Sequence, residues 1–134
     1  MNVASKISIS IVIPVYNSDQ TIALVVKNLV EKLNNSYELE IILVNDNSND
    51  KSEEVCISLY NRYDNLIKFY SLSKNVGEHN AVMAGLNNAS GEYVIIMDDD
   101  FQNPISEISK LISYIIENDH DVVYTFYEKK KHNL

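Results

Sequence analysis

The segment Tyr93-Val94-Ile95-Ile96-Met97-Asp98-Asp99-Asp100-Phe101-Gln102-Asn103-Pro104 decides how this chain folds. Tyr93 to Met97 is an uninterrupted apolar run, as expected of a strand covered on both faces. Asn103-Pro104 reads as a helix N-cap followed by proline at the first helical position, where a missing N–H costs nothing. Behind it Ile105, Ile108, Leu111, Ile112, Ile115 and Ile116 recur at helical spacing. The order is therefore buried strand, acidic turn, amphipathic helix.

The same order repeats on either side. Ile7 to Ile13 is a β-rich run ending at Pro14. Between Asp19 and Asn34 the apolar residues Ile22, Val25, Val26, Leu29, Val30 and Leu33 make one helical stripe, with Ser18 as its expected N-cap. Leu39 to Val44 is a second buried strand, apolar apart from Glu40. Val55, Cys56, Leu59, Tyr60 and Tyr63 form the next stripe, and Leu66 to Leu72 a third, weaker strand. Ala81, Gly85 and Ala89 recur every four residues, giving a helix face that can approach a sheet closely, with Gly91 as its expected end. Val122 to Phe126 starts a fifth strand. Strands alternating with amphipathic helices predict an α/β domain, a mainly parallel sheet with helices on both faces. Such sheets bind ligands at the carboxyl ends of their strands, where the strand order reverses direction.

The 134 residues, 46% hydrophobic and 22% charged, suit one globular domain. No repeat or linker divides it. The polar start from Met1 to Lys6 is not a signal peptide, and no apolar run nears the ~20 residues of a membrane span. One cysteine, Cys56, rules out an internal disulfide and a cysteine zinc cluster, and fits a small core side chain. A cytoplasmic setting is expected. Eleven basic residues against 19 acidic ones give a net charge of −8, which argues against nucleic acid as a partner. A chain so acidic needs a cation or aimed backbone dipoles to hold a nucleotide. Lys129-Lys130-Lys131-His132 reads as a solvated tail.

Three strand ends carry polar residues that folding does not require: Pro14-Val15-Tyr16-Asn17, Asn45-Asp46-Asn47-Ser48-Asn49-Asp50, and Asp98 through Asn103. In extended chain, alternate side chains share a face, so Asp98, Asp100 and Gln102 point one way and Asp99 the other. Two carboxylates and an amide oxygen make a partial hard-oxygen site for Mg²⁺ or Mn²⁺, which would hold a diphosphate. The competing reading is a solvated turn that caps the next helix. Asp46 either accepts from a base or ribose, or serves an Asx turn or cap in its Asn/Asp/Ser-rich segment. Tyr16 either lies against a base or packs. His79 and His120 have no partner at metal-binding spacing and read as surface or helix-end residues.

Ile13-Pro14-Val15-Tyr16-Asn17, Val44-Asn45-Asp46-Asn47-Ser48, Asn75-Val76-Gly77-Glu78-His79 and Met97 through Pro104 occur in an order that resembles the inverting family 2 glycosyltransferases of the GT-A fold. The closest resemblance, over Asn75 to Pro104, is to the polyprenyl-phosphate (dolichyl- and undecaprenyl-phosphate) glycosyltransferases. The likeness runs from Ile7 to about Tyr127. It implies a Rossmann-like nucleotide-binding half-domain that takes a UDP- or GDP-sugar, with a lipid-phosphate acceptor at the cytoplasmic face of a membrane. By the same resemblance Pro14, Tyr16 and Val44 border the base, and Asp46 contacts it. The region around Gly77 to Ala81 packs near the nucleotide. Asp98 and Asp99 approach the ribose and phosphates, while Asp98, Asp100 and Gln102 hold Mg²⁺ or Mn²⁺.

The sequence also departs from that pattern. Asn45 stands where Asp is frequent, Ser18 where some relatives have Glu, and Asp99 where a small residue is usual. Family catalytic domains run longer, so residues 1–134 are expected to be the donor-binding portion alone, with the acceptor-activating residues in a missing half. Two other classes compete with this reading. A phospho-receiver would need an aspartate after the third strand, where Ser73-Lys74-Asn75 stand. A non-catalytic assembly domain with a vestigial site would keep the same motifs, and its exposed sheet edge makes a homo-oligomer plausible.

Overall fold

The computed structural model describes residues 5–100, 105–118 and 122–124. The elements alternate as β1 (Ser8–Val15), α1 (Ile22–Leu33), β2 (Glu38–Asn45), α2 (Ser52–Arg62), β3 (Ile67–Ser71), α3 (Glu78–Leu86), β4 (Tyr93–Ile96), α4 (Ile105–Asn118) and β5 (Val122–Tyr124). All strand pairs are parallel and the order is β3-β2-β1-β4-β5. Chain progression therefore runs outward from β1 to β2 and β3 on one side, then restarts at β4 on the other. The carboxyl ends of β1 and β4 flank the point of reversal, where α/β sheets hold ligands.

Alternation along the strands sorts the core into two layers. Ile9, Ile11, Ile13 and Val15 face one way with Leu39, Ile41, Leu43, Ile95 and Met97, beneath the stripes of α1, α2 and α4. Val12, Ile42, Val44 and Ile96 face the other way, beneath Ala81 and Val82 of α3. Three helices thus cover one face and α3 covers the other. Gly85 makes the α3 contact possible. A Cβ there would lie 2.4 Å from Val12 Cγ1, so the sheet touches the helix backbone itself.

Among the described residues no helix covers the amino-terminal part of the α3 face, and polar side chains fill it. Ser10 and Lys68 both bond Glu40, each at 2.5 Å, and Ser90 adds its amide at 3.0 Å. This explains the charged residue inside the otherwise apolar run from Leu39 to Val44. Gly91 does not end α3. The helix stops at Leu86, and Gly91 instead lies against β1, where a Cβ would meet Ser10 N at 2.6 Å. Burial pushes the Glu40 carboxyl up, but Lys68, Ser10 and Ser90 outweigh it and hold it below the usual range.

Some expected boundaries move. β1 does not end before Pro14 but continues to Val15. The Val15 carbonyl serves β2 through the Asp46 amide, whereas the Val12 carbonyl serves β4 through the Met97 amide. By that alternation the backbone of Pro14 faces β4, where its missing N–H ends the ladder just as β4 itself ends. Ser18 is not the side-chain cap of α1; the helix begins at Ile22, and the Ser18 carbonyl accepts the Thr21 and Ile22 amides in the preceding turn. Tyr60 does not belong to the buried stripe of α2, being 44% exposed, while Cys56 and Leu59 are buried. Burial pushes the Cys56 thiol up to about 12, as expected of an inert core side chain. Asn103-Pro104, His120 and the Lys129–His132 cluster lie outside the described residues.

Candidate functional site

The strand-end loops are tied to one another by side chains bonding to backbone. Between the β1 and β2 ends the bonds are reciprocal. Asn17 N donates to Ser48 Oγ at 3.0 Å, and Asn49 N donates to Asn17 Oδ1 at 2.8 Å. Ser18 N donates to the fully buried Ser52 Oγ at 2.8 Å. Asp19 N donates to Asp50 Oδ2, and Lys51 N to Asp19 Oδ2. Asp50 also accepts the Ser52 amide at 2.9 Å, at the first turn of α2. Burial pushes the Asp50 carboxyl up, but the bonds from Ser52 and Asp19 outweigh it and hold it low. Asn17 and Asn47 sit at φ 51° and 53°, a left-handed conformation that asparagine tolerates.

Asp46 joins this assembly to the loop before α3. Its Oδ1 accepts Val76 N at 2.8 Å and its Oδ2 accepts Gly77 N at 3.0 Å. The carboxylate is 4% exposed. Neither an Asx turn nor a cap of its own segment occupies it; it fixes a different loop. Its neighbour Asn45 is also buried and accepts from Ser48 Oγ at 2.6 Å while donating to Ser71 Oγ at 3.1 Å. The donor half of that pattern needs an amide, which is what asparagine brings in place of aspartate.

Asp99 joins the β4 end to the β1 end. Its Oδ2 accepts Tyr16 N at 3.0 Å and also the Ser18 hydroxyl, and its carbonyl accepts Thr21 Oγ1 at 2.8 Å. The expected divergence of Asp99 from its neighbours is therefore seen as a bridge onto the β1–α1 loop.

A cavity of about 350 Å³ opens among these loops, lined by Pro14, Val15, Tyr16, Asp46, Asn75, Gly77, Glu78 and Asp99. Pro14, Tyr16, Asp46, Gly77 and Asp99 thus come together as expected. Tyr16 is 45% exposed, on the rim and not in the core. Val44 does not line the cavity. It is fully buried beneath Gly85, so it supports the wall from below. Glu78 falls within the Gly77-to-Ala81 region expected near the nucleotide, though the sequence gives it no role of its own. Its position just after the Asn-Val-Gly turn, at the head of a helix, was the signal.

Asp98 and Asp100 stand half-buried where the chain leaves β4. Burial pushes the Asp98 carboxyl up, and the carboxylates of Glu78, Asp100 and Asp99 push the same way. The pair is rich in negative charge. Among the described residues no three His, Cys, Asp or Glu side chains gather as a metal shell. Gln102, the expected third ligand, lies outside the described residues. Two hard carboxylates do fit a Mg²⁺- or Mn²⁺-type ion, which keeps waters and takes substrate phosphates for the rest of its shell. His79 is exposed on α3.

The pattern for glycosyl transferase family 2 matches residues 10–133. The chain belongs to glycosyl transferase family 2. Among its relatives within this family, the undecaprenyl-phosphate 4-deoxy-4-formamido-L-arabinose transferase of Photorhabdus laumondii is 38% identical over 118 residues, covering 87% of this chain and 36% of the relative. The protein of the same name from Yersinia enterocolitica is 38% identical, covering 100% of this chain and 41% of the relative. This family 2 chain thus spans about two fifths of the length of those proteins. Its fold is the GT-A type. S. aureus TarS 1–349, solved with UDP-GlcNAc, superposes with a TM-score of 0.68 at 23% identity, over 84% of this chain and 32% of that one. The mannosyltransferase PcManGT of Pyrobaculum calidifontis, solved with GDP-Man and Mn²⁺, gives 0.64 at 18% identity, over 82% of this chain and 32% of that one. No described helix is long and apolar enough to cross a membrane.

Proposed function

We propose that this chain is the donor-binding portion of an inverting sugar transferase, one that takes a UDP- or GDP-sugar with the help of Mg²⁺ or Mn²⁺ and passes the sugar to a polyprenyl phosphate. The observation that carries the reading is the cavity at the reversal of strand order, with Asp46 and Asp99 in its wall and Asp98 and Asp100 beside it. The names of the relatives support the lipid-phosphate acceptor.

Each residue has a part in this proposal. Tyr16 and Pro14 border the base at the cavity rim, over the support given by Val44. Asp46 holds the Val76–Gly77 turn and presents what remains of its accepting capacity to the base. Asp98 faces the ribose and phosphates. Asp98, Asp100 and Gln102 hold the divalent ion. When bound, that ion offsets the charge that builds on the leaving diphosphate. The acidic wall calls for such an offset, because the diphosphate of a nucleotide entering beside Asp98, Asp100 and Glu78 meets the repulsion of their carboxylates. The acceptor oxygen then attacks the anomeric carbon from the face opposite the diphosphate.

Calorimetric titration of the purified chain with UDP and with GDP, in Mn²⁺ and in EDTA, tests this. Binding of one nucleotide in Mn²⁺, lost in EDTA and in Asp100→Ala, is the expected result. Binding that is indifferent to both EDTA and Asp100→Ala would overturn the metal assignment. Binding of neither nucleotide would favour an assembly domain with a vestigial site.

A further inference from the structure

The three consecutive aspartates do not share one task. Asp98 and Asp100 flank Asp99, yet Asp99 is engaged elsewhere. One carboxylate oxygen accepts both the Tyr16 amide and the Ser18 hydroxyl, and the Asp99 carbonyl accepts the Thr21 hydroxyl. Those three donors lie 78 to 83 residues away along the chain and all belong to the turn between β1 and α1. No ladder bond can do this joining. β4 ends at Ile96, and Pro14 has no N–H to offer toward it. Beyond Met97, Asp99 ties the two sides of the crevice together.

We propose that Asp99 is a positioning residue. As a hydrogen-bond acceptor, it holds the Tyr16 loop at a fixed distance from the Asp98–Asp100 strand end, so that base and diphosphate subsites are set before a nucleotide arrives. This deepens the donor-site reading and rests on it. The role needs an acceptor and not a charge. An amide oxygen at the same place can take the same two donors. A metal ligand, or a carboxylate acting through its field, would need the charge.

The test compares Asp99→Asn with Asp99→Ala in the whole chain, by amide hydrogen exchange without nucleotide and by calorimetry with UDP and GDP in Mn²⁺. The Tyr16 amide should exchange slowly in the parent and in Asp99→Asn, and fast in Asp99→Ala. Affinity for the nucleotide that binds should fall about tenfold in Asp99→Ala and about threefold at most in Asp99→Asn, the loss expected for two bonds against their partial retention. Mn²⁺ dependence should persist in both. Should Asp99→Ala not fold, Thr21→Val removes the third tie from the opposite side and should speed Tyr16 exchange on its own. Loss of Mn²⁺ dependence in Asp99→Asn would overturn the proposal in favour of a metal ligand. Unchanged Tyr16 exchange in Asp99→Ala and Thr21→Val would overturn it outright. If the parent binds neither nucleotide, the donor-site reading fails while the exchange comparison still decides whether Asp99 positions the loop.

Discussion

The Asp46 carboxylate accepts the Gly77 amide at 3.0 Å with one oxygen and the Val76 amide at 2.8 Å with the other. Gly77 can present its amide there because it adopts φ 91° and ψ 156°, a conformation essentially reserved for glycine. A Cβ at Gly77 would touch nothing within 4 Å. Its cost is therefore all backbone strain. Gly77→Ala should lower stability by about 1–3 kcal/mol in urea unfolding. It should also weaken nucleotide binding by moving the wall. An unchanged unfolding midpoint would refute the strain argument.

Asp46→Ala removes the acceptor of the Val76 amide and one of the two acceptors of the Gly77 amide, which keeps Asn75 Oδ1 at 3.1 Å; losing the bond of Val76 to a charged acceptor costs about 1.5–3 kcal/mol. The expected outcome is a less stable chain with faster amide exchange at Val76. Exchange that stays slow would mean the turn holds itself without the carboxylate.

Gly85→Ala tests the closeness of α3 to the sheet. The new methyl would sit 2.4 Å from Val12 Cγ1 and 3.3 Å from Val44 Cγ2. Overpacking of this kind costs about 1–3 kcal/mol, more than the gain of up to ~1 kcal/mol in helix propensity. Adding Val12→Ala should recover part of the loss, because the two sites are in contact and their effects are not additive. Simple additivity in denaturant melts would rule out the proposed clash.

Glu40→Gln tests the polar cluster on the same face. The Glu40 pKa is depressed, so its carboxylate contributes stability above the unfolded-state carboxyl value of about 4.3 and loses it as pH falls through the lower folded value. At pH 7 the variant should be about 1–2 kcal/mol less stable, the scale of a charge-assisted bond. The gap should close below about pH 4. A constant gap from pH 7 to pH 3 would contradict this.

Asn45→Asp would place a second carboxylate beside Asp46 in a site 2% exposed and would remove the donor to Ser71. A loss of about 2 kcal/mol or more is expected at pH 7, mostly from burying an uncompensated charge. Thermal melts of the two chains check it.

The period of the apolar residues made the layers legible. Ile22, Val25, Val26, Leu29 and Leu33 are all buried, and the run from Leu39 to Val44 lies in the sheet centre, because burial on both faces leaves no room for polar alternation. The strand ends were legible as a site because polar residues after buried strands have no packing reason to be there. What could not be read was who bonds whom. Asp46 and Gly77 are 31 residues apart and Asp99 and Tyr16 are 83 apart; sequence gives no register between loops. Val44 misled for a related reason. The family resemblance set it beside the base, but the pleat turns it under Gly85. Gly91 looked like a helix stop because glycine serves both helix ends and close approaches, and only the sheet behind it distinguishes the two.

One covalent detail sets the shape of the crevice. Pro14 turns its ring nitrogen toward the strand that carries the aspartates. Any other residue there would bring an N–H that could reach the Met97 carbonyl and add one more rung. The seam between the halves of the sheet would then run on toward Asp98 and draw the mouth inward. The opening thus begins at a missing hydrogen atom, and the Asp99 carboxylate spans it beyond the point where the ladder stops.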